Sequence, residues 1–532
     1  MKTFMVVALL LVLPSRSVLA DDGLAERLPA YAANLTMGEP VRTIYARTGY
    51  RLLWNADAMS RLLALLATVA AHGLDPADFP EPGLVEPGRL NMLAPQEREI
   101  ADVALTHTLL RYVHVLRFGK VDPWAIEADW NYSRQDSAAT PADVVVDALM
   151  SADFVAVIKE RTQRGGFYRR LMDWLQTYRA LRDAGGWDAV EDGPTLKPDA
   201  VDARIPALRR RLAAEGFTTP EPVDATVFDA DLVALVKQWQ WRHGLDADGV
   251  IGARTHASLN DTAQQLVDRL RVNLERLRWE EPQRTGRAVL VNIAGYTLYL
   301  LDGETVQWTS RTVVGRPYRQ TPVLTARITH LVFNPSWTVP PTILYKDTLP
   351  AIRRDAGYLA ANHMQVLTGD GQTVDPNGVD WSGYRRGGFP YQIRQAPGVW
   401  NALGKVKFNM PNPQSVYLHD TPSKNLFEKS ERSFSSGCIR VENALTLASL
   451  LLAADGGDTA RIDQWTAQTR THYEKLASPV PVMLQYLTAL DTEGEGLRLY
   501  ADVYGRDARL LAALDQHQRV EVTDKGSEAG VD

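Results

Sequence analysis

The chain contains one cysteine, Cys438, in a segment whose residue types are suited to nucleophilic catalysis. The segment runs from Tyr417 to Asn443 and reads YLHDTPSKNLFEKSERSFSSGCIRVEN, with His419 upstream of the thiol. A cysteine attacks as its thiolate, and because its free pKa is about 8.5 it needs an imidazole or a helix N-terminus to ionise at neutral pH. The sequence predicts both, since His419 ends a strand-like run and helix-like ENALTLASLLL follows the cysteine. The pattern predicts catalysis by a Cys-His pair; the alternative is a buried cysteine that only fills space.

The neighbours of this pair have types that could complete a catalytic site. Gly437 permits a tight turn, and backbone N-H groups near it could hold an oxyanion at the predicted helix start. Ser436 lies in the same turn and is a second candidate for orientation. Strand alternation puts Tyr417 on the face of His419, where its phenol could orient a substrate or donate to the oxyanion. Alternation points Asp420 the other way, so a backbone carbonyl is the expected partner of the imidazole, with a Cys-His-Asp triad as the alternative.

The N-terminus has the pattern of a secretory signal peptide. Lys2 precedes an apolar run from Phe4 to Leu13, and Val18-Leu19-Ala20 follows a polar break. Because the run is too short to span a bilayer, we predict cleavage after Ala20 and a periplasmic location, with an uncleaved anchor as the alternative. In an oxidising compartment, a lone cysteine is either well buried or chemically employed.

Composition and charge exclude several classes of protein. The 532 residues carry a formal net charge of −6, and no stripe of Lys and Arg is interleaved with aromatic residues, so no nucleic-acid partner is expected. The sequence has no H-E-x-x-H motif and no second cysteine, so neither a metal nor another cofactor is predicted. The length predicts several domains. The oligomeric state stays open, with a monomer as the expectation.

The N-terminal half is predicted to be mainly helical. The run LLALLATVAAH ends at Gly73, and apolar residues recur at helical spacing from Leu105 to Leu116 before Gly119. We predict a signal peptide at 1–20, a helical scaffold domain at 21–220, a small helical module at 221–262 and a helical linker at 263–285.

The C-terminal half is predicted to be rich in strands. From Ala288 apolar residues alternate, and Asp302-Gly303 marks a hairpin turn. A stretch rich in Gly, Pro and aromatic residues between Pro340 and Trp400 predicts a lid or substrate-binding insertion, with a plain surface insertion as the alternative. The predicted fold class is multidomain α+β, with a helical scaffold, a small helical module and a β-rich domain that carries a lid. The predicted boundaries are 286–455 for the β-rich domain, about 341–400 for the lid, 456–518 for a C-terminal helix and strands that pack on the scaffold or on the β-rich domain, and 519–532 for a tail.

The residues around Cys438 resemble the signature of the L,D-transpeptidases, which have a YkuD-type catalytic domain. His419, Gly437, Cys438 and Arg440 match the family pattern, and Ser436 stands where many members carry a second histidine. Upstream, VNIAGYTLYLLDG resembles the opening hairpin of the family, and VVGRPYRQTPVL resembles its Gly and Thr-Pro elements. The segments NLERLRW, NPSWTVPPTI and SSGCIRVEN extend the resemblance to the large periplasmic YcbB-like subgroup.

The small helical module also resembles a known domain. Its segment VKQWQWRHGLDADGVIGARTHASLN is similar to the peptidoglycan-binding domain that is attached to wall hydrolases and transpeptidases. The alternative is a small helical domain without affinity for a ligand.

The resemblance implies acyl transfer on peptidoglycan stem peptides. It implies that Cys438 forms a thioester with the third stem residue and releases D-alanine, that a second stem attacks the thioester, and that penems and carbapenems acylate the thiol. His419 would be the base, and Arg440 could bind a stem carboxylate, with a structural ion pair as its alternative. Trp337 and Asn443 are further substrate-binding candidates, although core packing would also explain the tryptophan.

Two other functions stay open on the sequence alone. A hydrolase or L,D-carboxypeptidase would pass the same thioester to water. A non-catalytic scaffold would use only the peptidoglycan-binding module, with Cys438 as a filler. The preferred acceptor, which could be a stem, a free D-amino acid or a lipoprotein, is not predicted.

Overall fold

The computed structural model describes residues 22–79, 87–127, 130–131, 139–280, 285–384 and 387–517. The predicted signal peptide at 1–20 and the predicted tail at 519–532 lie outside these described residues. Within these ranges, no helix combines the length and the apolar character required to cross a membrane.

The N-terminal region is a group of helices around its own apolar core. Its helices are α1 (Asp22–Ala32), α2 (Gly38–Arg47), α3 (Ala56–Leu66), α4 (Pro95–Phe118), α5 (Pro123–Ile126), α6 (Pro141–Met150), α7 (Phe154–Thr162) and α8 (Gly166–Asp183). Of these, α5 and α8 pack instead against the main core, which includes the sheet. Helix α4 is buried over most of its surface because α1, α2, α3, α6 and α7 all pack against it. The predicted glycine stops are present, since Gly73 and Gly119 end helical runs with φ of 77° and 94°.

The small helical module has a separate core. Its helices are α9 (Ile205–Ala214), α10 (Ala230–Arg242) and α11 (Ala253–Leu259). Buried side chains from Leu196 to Leu259 share this core, and an isolated β-bridge joins Leu196 to Ile251. The core includes α9, which the predicted boundary at residue 221 leaves in the scaffold, because Leu208 and Leu212 of α9 are buried in it.

Helix α12 (Ala263–Arg278) belongs to the main core. It packs along α8, and Leu266, Leu270 and Leu277 are buried with the apolar side chains of the sheet. The segment predicted as a helical linker at 263–285 therefore provides a core helix, because its apolar stripe faces α8 and the sheet at once.

The β-rich region is built on one large sheet that closes on itself. The strands are β1 (Arg287–Asn292), β2 (Thr297–Asp302), β3 (Thr305–Gly315), β4 (Leu324–Phe333), β5 (Trp337–Thr338), β6 (Met364–Leu367), β7 (Thr373–Val374), β8 (Gln392–Gln395), β9 (Val406–Asn409), β10 (Leu418–His419), β11 (Ser433–Ser435), β12 (Ile439–Val441), β13 (His472–Gln485), β14 (Ala489–Thr492) and β15 (Gly496–Leu499). In the described ranges, nine of them pair in the order β11-β3-β12-β10-β9-β4-β13-β1-β2. Because β2 also pairs with β3, the two ends of the sheet meet.

Residues 337–395, between β4 and β9, form a subdomain that we call the lid subdomain. It contains α13 (Pro341–Ile343), a π-helical turn (Leu344–Thr348), α14 (Leu349–Arg354), α15 (Tyr358–Ala361) and a small sheet with strand order β5-β8-β6-β7. Leu349, Val366 and Ile393 are buried in its own core. The predicted insertion is thus a folded unit that begins at β5, before the predicted boundary at about 341.

The C-terminal region completes the large sheet. Strand β13 runs parallel to β1 and antiparallel to β4, so it lies inside the sheet and not on its flank. Strands β14 and β15 form a hairpin. The remaining helices are α16 (Ala444–Ala454), α17 (Arg461–Ala467) and α18 (Asp507–Leu514). The fold class is the predicted multidomain α+β arrangement.

Candidate active site

Cys438 lies on a turn between β11 and β12, and its side chain is partly exposed. Gly437 has φ of 119°, a backbone conformation that residues with a Cβ rarely adopt. The Ser435 hydroxyl donates to the Cys438 carbonyl at 2.6 Å and accepts from the Gly437 N-H at 3.1 Å. These two bonds fix the backbone on both sides of the thiol.

The loop between β3 and β4 also holds this turn through hydrogen bonds. The Thr321 hydroxyl donates to the Gly437 carbonyl at 2.8 Å and accepts from the Gly315 N-H at 2.9 Å. Tyr504, from the C-terminal region, donates to the Gly315 carbonyl at 2.7 Å and accepts from the Thr321 N-H at 3.2 Å. The position of the nucleophile therefore depends on three separate parts of the chain.

One prediction about this turn is wrong, and the set of N-H groups that could hold an oxyanion is smaller than predicted. Strand β12 follows Cys438, and α16 begins only at Ala444, so no helix N-terminus adjoins the thiol. The Gly437 N-H is occupied by Ser435, so Gly437 shapes the turn but does not offer its N-H to an oxyanion. The N-H of Cys438 itself has no acceptor among the described residues and is free for that role.

His419 is buried on β10, between two cationic residues of the adjacent strands. In the strand register it lies opposite Lys407 on β9 and opposite Arg440 on β12, so the three side chains share one face of the sheet. Its Nδ1 contacts the Asp420 carbonyl at 2.5 Å. A carbonyl only accepts, so the neutral ring carries its proton on Nδ1 and keeps the Nε2 lone pair. Burial, and then the charges of Arg440 and Lys407, lower the pKa of His419 to about 3, so the ring is neutral at neutral pH.

The carboxylate of Asp420 is used elsewhere. It accepts from the Lys405 N-H at 2.8 Å and pairs with the ammonium group of Lys424. The carbonyl of Asp420, and not its carboxylate, therefore orients the imidazole, as strand alternation predicts.

Tyr417 connects the nucleophile to the lid subdomain. Its ring centroid lies 5.7 Å from that of His419, which confirms that the two residues share a face. Its hydroxyl lies near the Cys438 thiol and the Trp337 side chain on β5, and both affect its pKa. Burial, and then the negative charge that Cys438 can carry, raise the pKa of Tyr417 well above its usual value, so the phenol keeps its proton and can donate.

Opposing effects act on the Cys438 thiol. Burial raises its pKa, whereas the N-H and hydroxyl of Tyr417 and the charges of Lys407 and Arg440 lower it. Burial is the largest of these effects, so the pKa stays above its ordinary value and the resting thiol is protonated at neutral pH. The site therefore pairs a neutral thiol with a neutral imidazole.

The other predicted residues, Ser436, Arg440 and Asn443, differ in their contacts and in their position relative to the thiol. The Ser436 hydroxyl accepts from Arg319 at 3.0 Å, and the same guanidinium pairs with Asp347 of the lid subdomain. In the part of the chain that the structure describes, Arg440 forms no ion pair and its Nε lacks a hydrogen-bond partner. Asn443 is exposed, adopts the left-handed conformation with φ of 51°, and precedes α16, so β12 separates it from the thiol.

Two residues of this site were not predicted from the sequence. Lys407 is on the face of His419, and Arg319 joins Ser436 to Asp347. The alternation Val406, Lys407, Phe408 signals a polar side chain on one face of a strand, but only the register of β9 against β10 identifies the face. No local signal distinguishes Arg319 from Arg316, the other arginine of its loop.

Three family models match the chain. The model described as "L,D-transpeptidase catalytic domain" matches residues 286–477, that described as "Scaffold domain" matches 39–175, and that described as "Putative peptidoglycan binding domain" matches 202–259. A curated protein of Haemophilus influenzae named "Putative L,D-transpeptidase" is 37% identical over 249 residues, which are 47% of this chain and 50% of that protein. The chain thus spans about half the length of the curated relative that it matches.

A solved structure is also similar to the chain. It is the crystal structure of an L,D-transpeptidase from Xylanimonas cellulosilytica, 13% identical, with a TM-score of 0.19 over 55% of this chain and 99% of that one. The family models and the curated relative agree with the resemblance carried by His419, Gly437, Cys438 and Arg440. Residues 286–477 are therefore a catalytic domain of the L,D-transpeptidase family, in a chain that also carries a peptidoglycan-binding domain.

Proposed function

We propose that this protein is a transpeptidase that links peptidoglycan stems through their third residues, by way of a thioester on Cys438. The observation that carries the proposal is the placement of the Tyr417 hydroxyl near the Cys438 thiol, with the Tyr417 ring 5.7 Å from that of His419 on the same sheet face. This grouping supplies a nucleophile, a proton donor and a base within a domain that the L,D-transpeptidase model matches.

In the first step Cys438 Sγ attacks the carbonyl carbon that joins the third stem residue to the terminal D-alanine. The thiol proton passes to Nε2 of His419, and an oxyanion forms on the former carbonyl oxygen. The C-N bond then breaks, the imidazolium gives its proton to the departing nitrogen, and D-alanine leaves. The low pKa of His419 supports this step, because it makes the transient imidazolium a strong acid toward the leaving amine.

In the second step the side-chain amine of a diaminopimelate residue on another stem attacks the thioester. His419 accepts the proton of the incoming amine, the C-S bond breaks, and Cys438 regains a proton. The products are a third-to-third-residue cross-link and the free enzyme.

The oxyanion of both steps would be held by the N-H of Cys438 and the hydroxyl of Tyr417. The N-H has no acceptor among the described residues, and the Tyr417 hydroxyl lies near the thiol. We assign Arg440 to a stem carboxylate, because its guanidinium has no acidic partner among the described residues. Trp337 would line the donor groove beside Tyr417.

An enzyme that acts on peptidoglycan must also be located outside the cytoplasm. The N-terminal signal pattern supports export to the periplasm, and the match at residues 202–259 supports attachment to the wall polymer. We assign the protein to wall cross-linking and the maintenance of cell shape.

Purified protein incubated with tetrapeptide-bearing muropeptides tests the proposal. Mass spectrometry should detect free D-alanine and dimers joined between third residues, and Cys438→Ala should produce neither. Tripeptides without dimers would instead identify a carboxypeptidase, and full cross-linking by Cys438→Ala would identify a mechanism without the thiol.

A carbapenem offers an independent test of the nucleophile. The intact protein should gain the mass of one inhibitor molecule on Cys438, and Cys438→Ala should gain none. Absence of any adduct on the folded wild-type protein would contradict the proposed acyl-enzyme chemistry.

A further inference from the structure

A lysine that the reaction above does not use lies beside the nucleophile. Lys407 is directly opposite His419 in the register of β9 and β10. Its ammonium nitrogen lies 4.1 Å from the centroid of the Tyr417 ring, near enough to Cys438 for the two groups to interact electrostatically. The lysine therefore reaches over the tyrosine toward the site of attack.

Lys407 has no acidic partner in the residues that the structure describes. It is half-buried, and burial lowers its pKa. The charge of Cys438 is the opposing effect. Lys405, two residues earlier, instead donates to the Thr466 carbonyl at 3.0 Å. A half-buried cation without an anion is costly, so an anion that appears during the reaction would be stabilised beside it.

The groups that surround Lys407 indicate which residue becomes the anion during the reaction. The titratable or charged residues on this face of the neighbouring strands and loops are His330, Tyr417, His419, Cys438 and Arg440, with Arg316 beyond Arg440. None of them is a carboxylate. Tyr417 keeps its proton, so Cys438 is the member of this set that becomes negative as the reaction proceeds.

We propose that the ammonium group of Lys407 is the counter-ion of the Cys438 thiolate. When the S-H bond breaks, the proton goes to Nε2 of His419, the electron pair stays on Sγ, and Lys407 stabilises that charge across the Tyr417 ring. Lys407 is thus a positioning residue that acts through the nucleophile. It replaces the helix N-terminus that the sequence predicted and that the fold places at Ala444.

An imidazolium is a poor alternative counter-ion here. Arg440 and Lys407 both oppose a positive charge on His419. Arg440 shares the stabilising role, but its charge is delocalised and also faces Arg316, whereas the lysine carries a compact charge.

The pH dependence of alkylation tests this inference directly. Cys438 is the single cysteine, so the rate of iodoacetamide alkylation of the full-length protein reports its ionisation. Lys407→Met should raise the apparent thiol pKa by about one unit, which slows alkylation near pH 8 about tenfold. Lys407→Arg should stay close to wild type, because it restores a cation.

Lys475→Met is the matched control. Lys475 is an exposed lysine on β13 of the same sheet, two strands from β9, and its alkylation profile should equal that of wild type. If Lys407→Met does not fold, as judged by circular dichroism, Lys407→Gln serves in its place with the same expected shift.

An unchanged thiol pKa in a folded Lys407→Met protein would overturn the inference. If that protein instead showed a higher KM for stem peptides with an unchanged alkylation profile, Lys407 would be a substrate-binding residue and the counter-ion role would be wrong. The inference rests on Cys438 being the nucleophile of the proposed function. Alkylation needs no peptidoglycan, so failure of the cross-linking assay and failure of this test are separate results.

Discussion

The imidazole of His419 is held by the backbone carbonyl of Asp420, while the carboxylate of Asp420 binds Lys405 and Lys424. The neighbours His419 and Asp420 look like part of a Cys-His-Asp triad. Their geometry instead fits a Cys-His dyad in which a main-chain carbonyl holds the imidazole. A backbone carbonyl fixes the ring tautomer but supplies no full negative charge, so the imidazolium form gains less stabilisation than in a triad.

This relationship predicts a mild effect for Asp420→Asn. The asparagine oxygen can still accept from the Lys405 N-H, and the carbonyl contact to His419 is unchanged. We expect kcat/KM for D-alanine release to fall by less than about tenfold, compared with the roughly ten-thousandfold loss on removal of a triad carboxylate. His419→Gln is the comparison variant and should lose nearly all activity. A thousandfold loss in Asp420→Asn would mean that the carboxylate acts on the imidazole.

The perturbed side chains of the site predict an unusual pH profile. Because the pKa of His419 is lowered to about 3, the ring loses its proton as pH rises through about 3 and is unprotonated at every higher pH. Because the pKa of Cys438 is raised, the thiolate population increases only as pH rises past the usual thiol range.

Single-turnover acylation measured from pH 5 to 9.5 should therefore show no break near pH 6.5 and should keep rising on the alkaline side. Cys438→Ala provides the background at each pH. A bell-shaped profile with an acid limb near 6.5 would show that the imidazole titrates at its ordinary value.

The chemistry of the site was predictable where it depends on neighbours in sequence. Cys438, His419 and Tyr417 belong to one short segment, and strand alternation was sufficient to put Tyr417 and His419 on one face. Lys407 was not predictable, because it reaches that face only through the antiparallel register of β9 with β10. A register depends on pairing over the whole sheet, which periodicity alone does not encode.

The errors in the predicted fold have a similar origin. The apolar run ENALTLASLLL does form a helix, but β12 is inserted before it because Ile439 and Val441 complete the sheet core next to β3 and β10. The segment 263–285 looked like a linker because its helix has a polar face, yet its apolar stripe is buried against α8 and the sheet. Helices and glycine stops were predicted well because both are local features.

The bridge between the lid subdomain and the nucleophile turn predicts a role for Asp347. Arg319 pairs with Asp347 and contacts Ser436 at once, so the ion pair links the lid subdomain to the turn that carries Cys438. Asp347 is 46% exposed and Arg319 only 9%, so solvent screens the pair and its contribution is small.

We expect Asp347→Asn to slow acylation by up to about fivefold, equivalent to about 1 kcal/mol, with little change in thermal stability. Asp370→Asn is the matched control, since Asp370 is an exposed lid carboxylate whose hydrogen bonds among the described residues stay within its own loop, to Thr368 and Gln372. Equal rates for Asp347→Asn and wild type would show that the ion pair does not assist the turn.

A buried carboxylate in the peptidoglycan-binding domain gives the last prediction, which concerns stability. Glu215 pairs with Arg211 at 2.6 Å and with His243 at 3.0 Å, and it accepts from the hydroxyl of Tyr178 on α8 at 2.9 Å. Burial alone would raise the pKa of Glu215, but the charge of Arg211 and the hydrogen bonds from Arg211 and His243 outweigh burial and hold the pKa below its usual range. The carboxylate is therefore ionised, and it joins this domain to the helical scaffold.

Glu215→Gln leaves the guanidinium of Arg211 buried without its counter-charge, and breaking a buried pair in this way costs about 3–5 kcal/mol. Calorimetry of the full chain should show the transition of the peptidoglycan-binding domain at a clearly lower temperature, while carbapenem acylation of Cys438 is retained. Tyr178→Phe removes one hydrogen bond and should cost about 1 kcal/mol. Glu221→Gln, at an exposed position of the same domain, should leave the transition unchanged. If Glu215→Gln melted like wild type, the buried network would not be what holds this domain against α8.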